Sequence, residues 1–150
     1  MRSRNTGFTL IELIVVIAII GILAALFVNV YARLQRQEAL RQGTQQFMGD
    51  LTSARSRARR LSQDVEVKAT NGTATYSVIQ DVNGTPSTRV YSLPSGLKFS
   101  GTLDVTFNEP HGLAMQFLNT DGQQITIQNG SRSTGVYVIG LAGKVVLHEN

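Results

Sequence analysis

The chain has 150 residues, 42% of them hydrophobic and 16% charged, with a formal net charge of +4 and no cysteine. That length suits one modest domain with a real core rather than two. The lack of cysteine excludes disulfides and cysteine-ligated metal, and the positive charge belongs to one segment: residues 29–61 hold seven arginines against Glu38 and Asp50, while residues 62–150 hold five basic against seven acidic groups.

The first 20 residues combine two arginines, Arg2 and Arg4, with a glycine at Gly7 and a long apolar run. From Leu13 to Ala32 there is no charge, and only Asn29 and Tyr31 interrupt the apolar character. An apolar stretch of roughly 20 residues is long enough to cross a bilayer as a helix. A core helix would keep a polar face, and this one has none. A secretory signal peptide fits the basic start but not the far end, where no small-x-small site closes the run. A plain anchor fits better, with Arg2 and Arg4 holding the N-terminus in the cytoplasm. Glu12 is the anomaly. An unpaired carboxylate near the start of a span costs about 2–3 kcal/mol, so an acid there implies a use.

Past the span the helical pattern continues. Val30 to Leu61 contains no proline and is rich in alanine, leucine, glutamine and arginine. One helix over 9–62 would be about 80 Å long at ~1.5 Å per residue, with Gly43 and Gly49 as points of bending. Its second half is amphipathic: Leu40, Phe47, Leu51, Ala54, Ala58 and Leu61 fall on one stripe, with Thr44 in line. Arg55, Arg57, Arg59 and Arg60 lie off that stripe. They form either a solvated face or an electrostatic contact with phospholipid, an acidic neighbour or nucleic acid.

Residues 65–150 alternate β-branched and aromatic residues with polar ones. The pattern predicts strands near 64–69, 73–80, 87–93, 97–100, 103–108, 113–118, 123–128, 135–140 and 144–148. Turns are expected at Asn71-Gly72, Asn83-Gly84, Pro94-Ser95-Gly96, Asp121-Gly122 and Asn129-Gly130. Asn71, Asn83 and Asn129 also begin Asn-Gly-Thr/Ser triplets, which read as glycosylation acceptors or, first, as turns. The clearest hairpin is "LAMQFLNTDGQQITIQ", turning at Asp121-Gly122, and a closing hairpin turns at Ala142-Gly143. The expected fold is α+β: a long N-terminal helical spine packed against antiparallel sheets.

No catalytic or metal constellation is visible, and neither an enzyme activity nor a cofactor is expected. His111 and His148 lack partners at metal-ligand spacing, and a serine nucleophile would need a histidine. His111 follows Pro110 in a predicted turn, where a loop role is favoured. Asn119-Thr120-Asp121-Gly122 is too short for a calcium loop. Arg132 lies in a predicted glycine- and serine-rich loop. With the arginines at 55–60 it motivates a second reading, a DNA-binding tip subunit for natural transformation, against which the net −2 of residues 62–150 counts.

The stretch "RNTGFTLIELIVVIAIIGILAA" resembles the N-terminus of type IV pilins and pseudopilins: a short basic leader ending at Gly7, then Phe8, Glu12 at the fifth position after the glycine, and the apolar helix. The later stretch "LTSARSRARRLSQDVEV", through Leu51, Ala54, Arg55, Ala58, Val65 and Val67, resembles the H-type minor pseudopilins of type II secretion and minor pilins of the FimT/FimU kind. The resemblance implies cleavage between Gly7 and Phe8 by a membrane-embedded prepilin peptidase, with N-methylation of Phe8. It divides the chain into a leader (1–7), a transmembrane and filament-core helix (8–30), and a periplasmic globular domain (31–150), helical to about 62 and β-rich over 64–150. The implied partners are other pilins, the peptidase, the membrane and an inner-membrane assembly platform driven by a cytoplasmic ATPase. Glu12 would pair with the new amine of Phe8, in the same or a neighbouring subunit, and so set the axial register of a filament.

Overall fold

In the computed structural model the described residues are 9–82, 84–117 and 122–149. The chain divides into two compact units, Met1–Gln35 and Arg36–Asn150. Helix α1 (Leu10–Leu61) begins in the first and ends in the second. Among the described residues of the first unit the apolar side chains Leu10, Ile11, Ile14, Ile17, Ile20 and Leu23 are all exposed. By length and composition this part of α1 can cross a membrane.

The second unit is a helix packed on two four-stranded antiparallel sheets. One sheet has the order β3-β2-β1-β5, from Thr85–Ser92, Thr75–Val82, Val65–Ala69 and Leu103–Phe107. The other has the order β4-β6-β7-β8, from Lys98–Ser100, Gly122–Asn129, Arg132–Ile139 and Lys144–Glu149. Burial alternates along β1 and β5, as a half-buried strand requires. Leu40, Phe47, Leu51, Ala54 and Ala58 join the inward residues of both sheets in one core cluster, so most of the predicted stripe is the packing face. Thr44 is buried in line with them and returns its hydroxyl to Leu40 O at 2.7 Å. Leu61 is the exception. It is 46% exposed, because the helix stops there. Ser62 takes a left-handed conformation (φ 47°) and Gln63 N donates back to Ala58 O, a Schellman-type end that Arg59 and Arg60 in the last turn complement electrostatically.

Gly43 and Gly49 do not interrupt α1. At Gly43 the reason for glycine is contact: a Cβ would stand 2.2 Å from Leu97 Cδ1. A larger residue would displace the Leu97 side chain from the core.

The expected strand at 113–118 is replaced by a single bridge, Asn108 with Leu113, and a 3-10 turn at Met115–Phe117; residue 118 lies outside the described residues. Ala114 and Phe117 are both buried, an i, i+3 pair that one 3-10 turn places on one side. Ala114 N is taken by Leu141 O and Phe117 N by Ala114 O. The expected hairpin through Asp121-Gly122 is therefore not formed: β6 pairs with β4 and β7 instead, and Asp121 lies outside the described residues. The closing hairpin is present, β7 against β8, with its turn over residues 140–143. Arg132 is not in a loop but is the first residue of β7.

A polar clamp fixes α1 to the first sheet. The Tyr76 hydroxyl donates to Asp50 Oδ2, while Gln46 Nε2 donates to that hydroxyl at 3.3 Å and to Ser92 O at 3.1 Å. Burial, reinforced by the Asp50 carboxylate, pushes the Tyr76 hydroxyl well above the ordinary tyrosine range, so it stays a donor. Tyr76→Phe keeps the ring and leaves the half-buried Asp50 carboxylate without this donor. Urea denaturation should show a lower midpoint at unchanged m, a cost of about 1–3 kcal/mol. An unchanged midpoint would mean the clamp adds nothing.

Candidate functional site: the helix N-terminus and the arginine face

Thr9 and Glu12 form a reciprocal pair at the start of α1. Thr9 N and Thr9 Oγ1 both donate to Glu12 Oε2 at 2.9 Å, and Glu12 N donates to Thr9 Oγ1 at 3.3 Å. This is a capping box, Thr at N-cap and Glu at N3. The sequence carries the signal, Thr-x-x-Glu before an apolar run, and reading Glu12 only as a membrane acid misses it. Glu12 thus has a partner within the helix itself, Thr9. One carboxylate oxygen is engaged with Thr9, and the side chain shares a helix face with Val15 and Val16. Arg2, Arg4, Gly7 and Phe8 lie outside the described residues.

The arginines of α1 do not form a single exposed patch. Arg55 and Arg57 are half-buried, and Arg59 and Arg60 are exposed. The loop of residues 108–113 lies on Arg55 and Arg59. A Cβ at Gly112 would meet Arg59 Cγ at 2.7 Å and Arg55 O at 2.8 Å, so only glycine allows the loop to close here. Asp64 anchors that loop, accepting from Asn108 Nδ2 at 3.1 Å and Glu109 N at 2.9 Å. His111 sits in the same turn, exposed, as its sequence context predicts. Arg132 Nη1 donates to Gln37 Oε1 at 2.9 Å. Gln37 precedes Arg55 by 18 residues on α1, about 27 Å along the axis at ~1.5 Å per residue. Arg132 is therefore not brought to the 55–60 cluster. No group of three His, Asp or Glu that could hold a metal occurs among the described residues.

Residues 2–28 match the prokaryotic N-terminal methylation motif. The fold is similar to that of the type IV minor pilin FimU of Pseudomonas aeruginosa (strain PAO1), with a TM-score of 0.55 and 16% identity over 73% of this chain and 92% of that one. An N-terminal methylation motif thus precedes a domain with the fold of a type IV minor pilin. No curated protein matches it in sequence. The apolar start of α1 and the N-terminal motif fit anchoring in a membrane, and the β domain follows on the C-terminal side.

Proposed function

We propose that this chain is a minor subunit, a minor pilin or pseudopilin, of a type IV pilus or type II secretion pseudopilus. The prepilin peptidase cuts it after Gly7 and methylates Phe8. Residues 8–30 hold it in the inner membrane with the β domain in the periplasm. A platform and ATPase then move it into the initiating or tip region of a filament. The observation that carries this reading is the N-terminal motif at 2–28 running into one uninterrupted helix, Leu10–Leu61, whose second half is the spine of a FimU-like domain. A binding role for DNA draws less support, since Arg132 and the arginines at 55–60 are held apart and Arg55 is partly covered by its own loop.

Mass spectrometry of the chain purified from membranes tests the processing step. The expected N-terminus is methylated Phe8. In Gly7→Val the extra side chain blocks the extended peptide from the peptidase cleft, and the chain should keep its leader and Met1. A Gly7→Val chain of wild-type mass would refute the cut at Gly7.

A further inference from the structure

The two sheets present four edge strands, and the chain closes two of them. Along β5, Gln116 accepts from Thr106 N at 2.9 Å and donates to Asp104 O at 2.7 Å, while Gln123 accepts from Asp104 N at 3.2 Å and donates to Thr102 O at 3.1 Å. Along β4, the turn at 71–73 supplies the missing ladder: Gly72 N to Phe99 O and Phe99 N to Thr73 O, both 2.8 Å, with Asn71 accepting from Gly101 N at 3.1 Å. β3 is open but blunted. Pro86 has no N–H, and Arg89, in cross-strand line with the buried Val78, Val67 and Val105, puts an exposed charge at this margin that resists strand docking.

β8 has neither device. Among the described residues no hydrogen bond from outside its sheet reaches Val145–Leu147, and that stretch is apolar. The inward row Ile125–Val136–Leu147 is buried at its first two positions, but Leu147 is 38% exposed, so the row runs off the end of the sheet. A groove of about 480 Å³ opens there, between α1 and the margin of β7 and β8. Leu40, Thr44 and Leu147 give it apolar surface, and Arg41 and Arg132 line it as well. Arg41 is neutralised by Glu38 at 2.9 Å, whereas among the described side chains the partner of Arg132 is the neutral Gln37.

We propose that β8 and this groove accept an extended segment of another protein chain. It adds as a fifth strand, seats an apolar side chain on Leu147 and Leu40, and places a carboxylate on Arg132. Backbone pairing supplies affinity and the alternate side chains supply selectivity. One guanidinium held only by a neutral amide among the described side chains fits one carboxylate. A nucleic acid strand would need a line of cations, and the groove does not offer one.

The test uses the full chain in detergent micelles and short fluorescent peptides in which valine alternates with threonine and one glutamate is placed at each position in turn. At least one peptide should bind saturably below ~1 mM. N-methylation of alternate amides of that peptide should weaken binding about tenfold or more, and Arg132→Glu should do the same while favouring the lysine-bearing analogue. Leu147→Asp should abolish the signal without lowering the urea midpoint by more than the Arg132 variant does. No saturable binding by any peptide, or equal binding of the N-methylated form, overturns the proposal. So does Arg132-dependent binding of a single-stranded oligonucleotide in place of the peptides. The assay needs neither the cut at Gly7 nor filament assembly, so its failure leaves the proposed function standing.

Discussion

Glu12→Ala and Glu12→Gln should both fall out of the filament, with incorporation down about a hundredfold or more, while Thr9→Ala stays much closer to wild type. The capping box and the proposed amine pair make opposite demands on this set. If Glu12 mattered only as the N3 residue of the box, Gln would serve nearly as well, because its amide oxygen can accept from Thr9 N. The cost of losing the cap is about 0.5–2 kcal/mol. Breaking one side of a charge pair in a packed, low-dielectric bundle costs about 3–5 kcal/mol, and each 1.4 kcal/mol is tenfold. Losing the charge therefore costs more than losing the cap, so Gln should fail as Ala does. Sheared filaments compared with the membrane pool by immunoblot give the ratio directly. Gln at wild-type level with Ala depleted would assign Glu12 to helix capping and end the pairing proposal.

If the proposed pairing holds, the two roles would follow each other in time. In the uncut chain the box holds the carboxylate at the first turn of α1, beside Thr9. On the processing proposed above, the cut would then supply the Phe8 amine as a second partner. A carboxylate already fixed in place loses less side-chain freedom on pairing than a free one would.

Elements governed by local periodicity were legible. The stripe from Leu40 to Ala58 is the packing face, and eight of the nine predicted strands have counterparts, because a 3.6 or 2.0 residue period reports directly which side is buried. Residues 113–118 break the pattern for a physical reason. Leu113, Ala114, Met115 and Phe117 are too uniformly apolar to alternate, and in place of a hairpin arm the segment sends Gln116 to the open side of β5, where Gln123 joins it. Glutamine in such a position looks like any surface glutamine. Gly43 is ambiguous in the same way: a helical glycine signals either weakness or contact, and only Leu97, 54 residues later, decides which. The arginines at 55–60 look like one feature in sequence, yet the loop that covers Arg55 comes from residues 108–113.

Phe47→Ala should be the most damaging single change in the β-bearing unit, lowering stability by about 3–5 kcal/mol. Phe47 is fully buried and meets Tyr76 and Phe99 edge-on, with ring centroids 4.9 and 5.0 Å away. Tyr76 stacks in turn on Tyr91 at 5.5 Å. The cavity left by alanine has little means of collapse. One turn earlier the backbone at Gly43 already lies against Leu97, so α1 cannot move inward to fill it. That places the cost toward the upper end of the range, against a total of about 5–15 kcal/mol for a typical domain. Thermal and urea melts of the full chain in detergent should show it as a midpoint lowered by about 10 °C or more. Val90→Ala, on the exposed β3, should stay within about 0.5 kcal/mol of wild type. Phe47→Ala would also reduce filament incorporation, but by depleting folded subunit, so its loss appears in the melt. Glu12→Ala should lower the melt by no more than the cap is worth, about 0.5–2 kcal/mol, and still fail to assemble, which separates the part of the chain that folds from the part that polymerises.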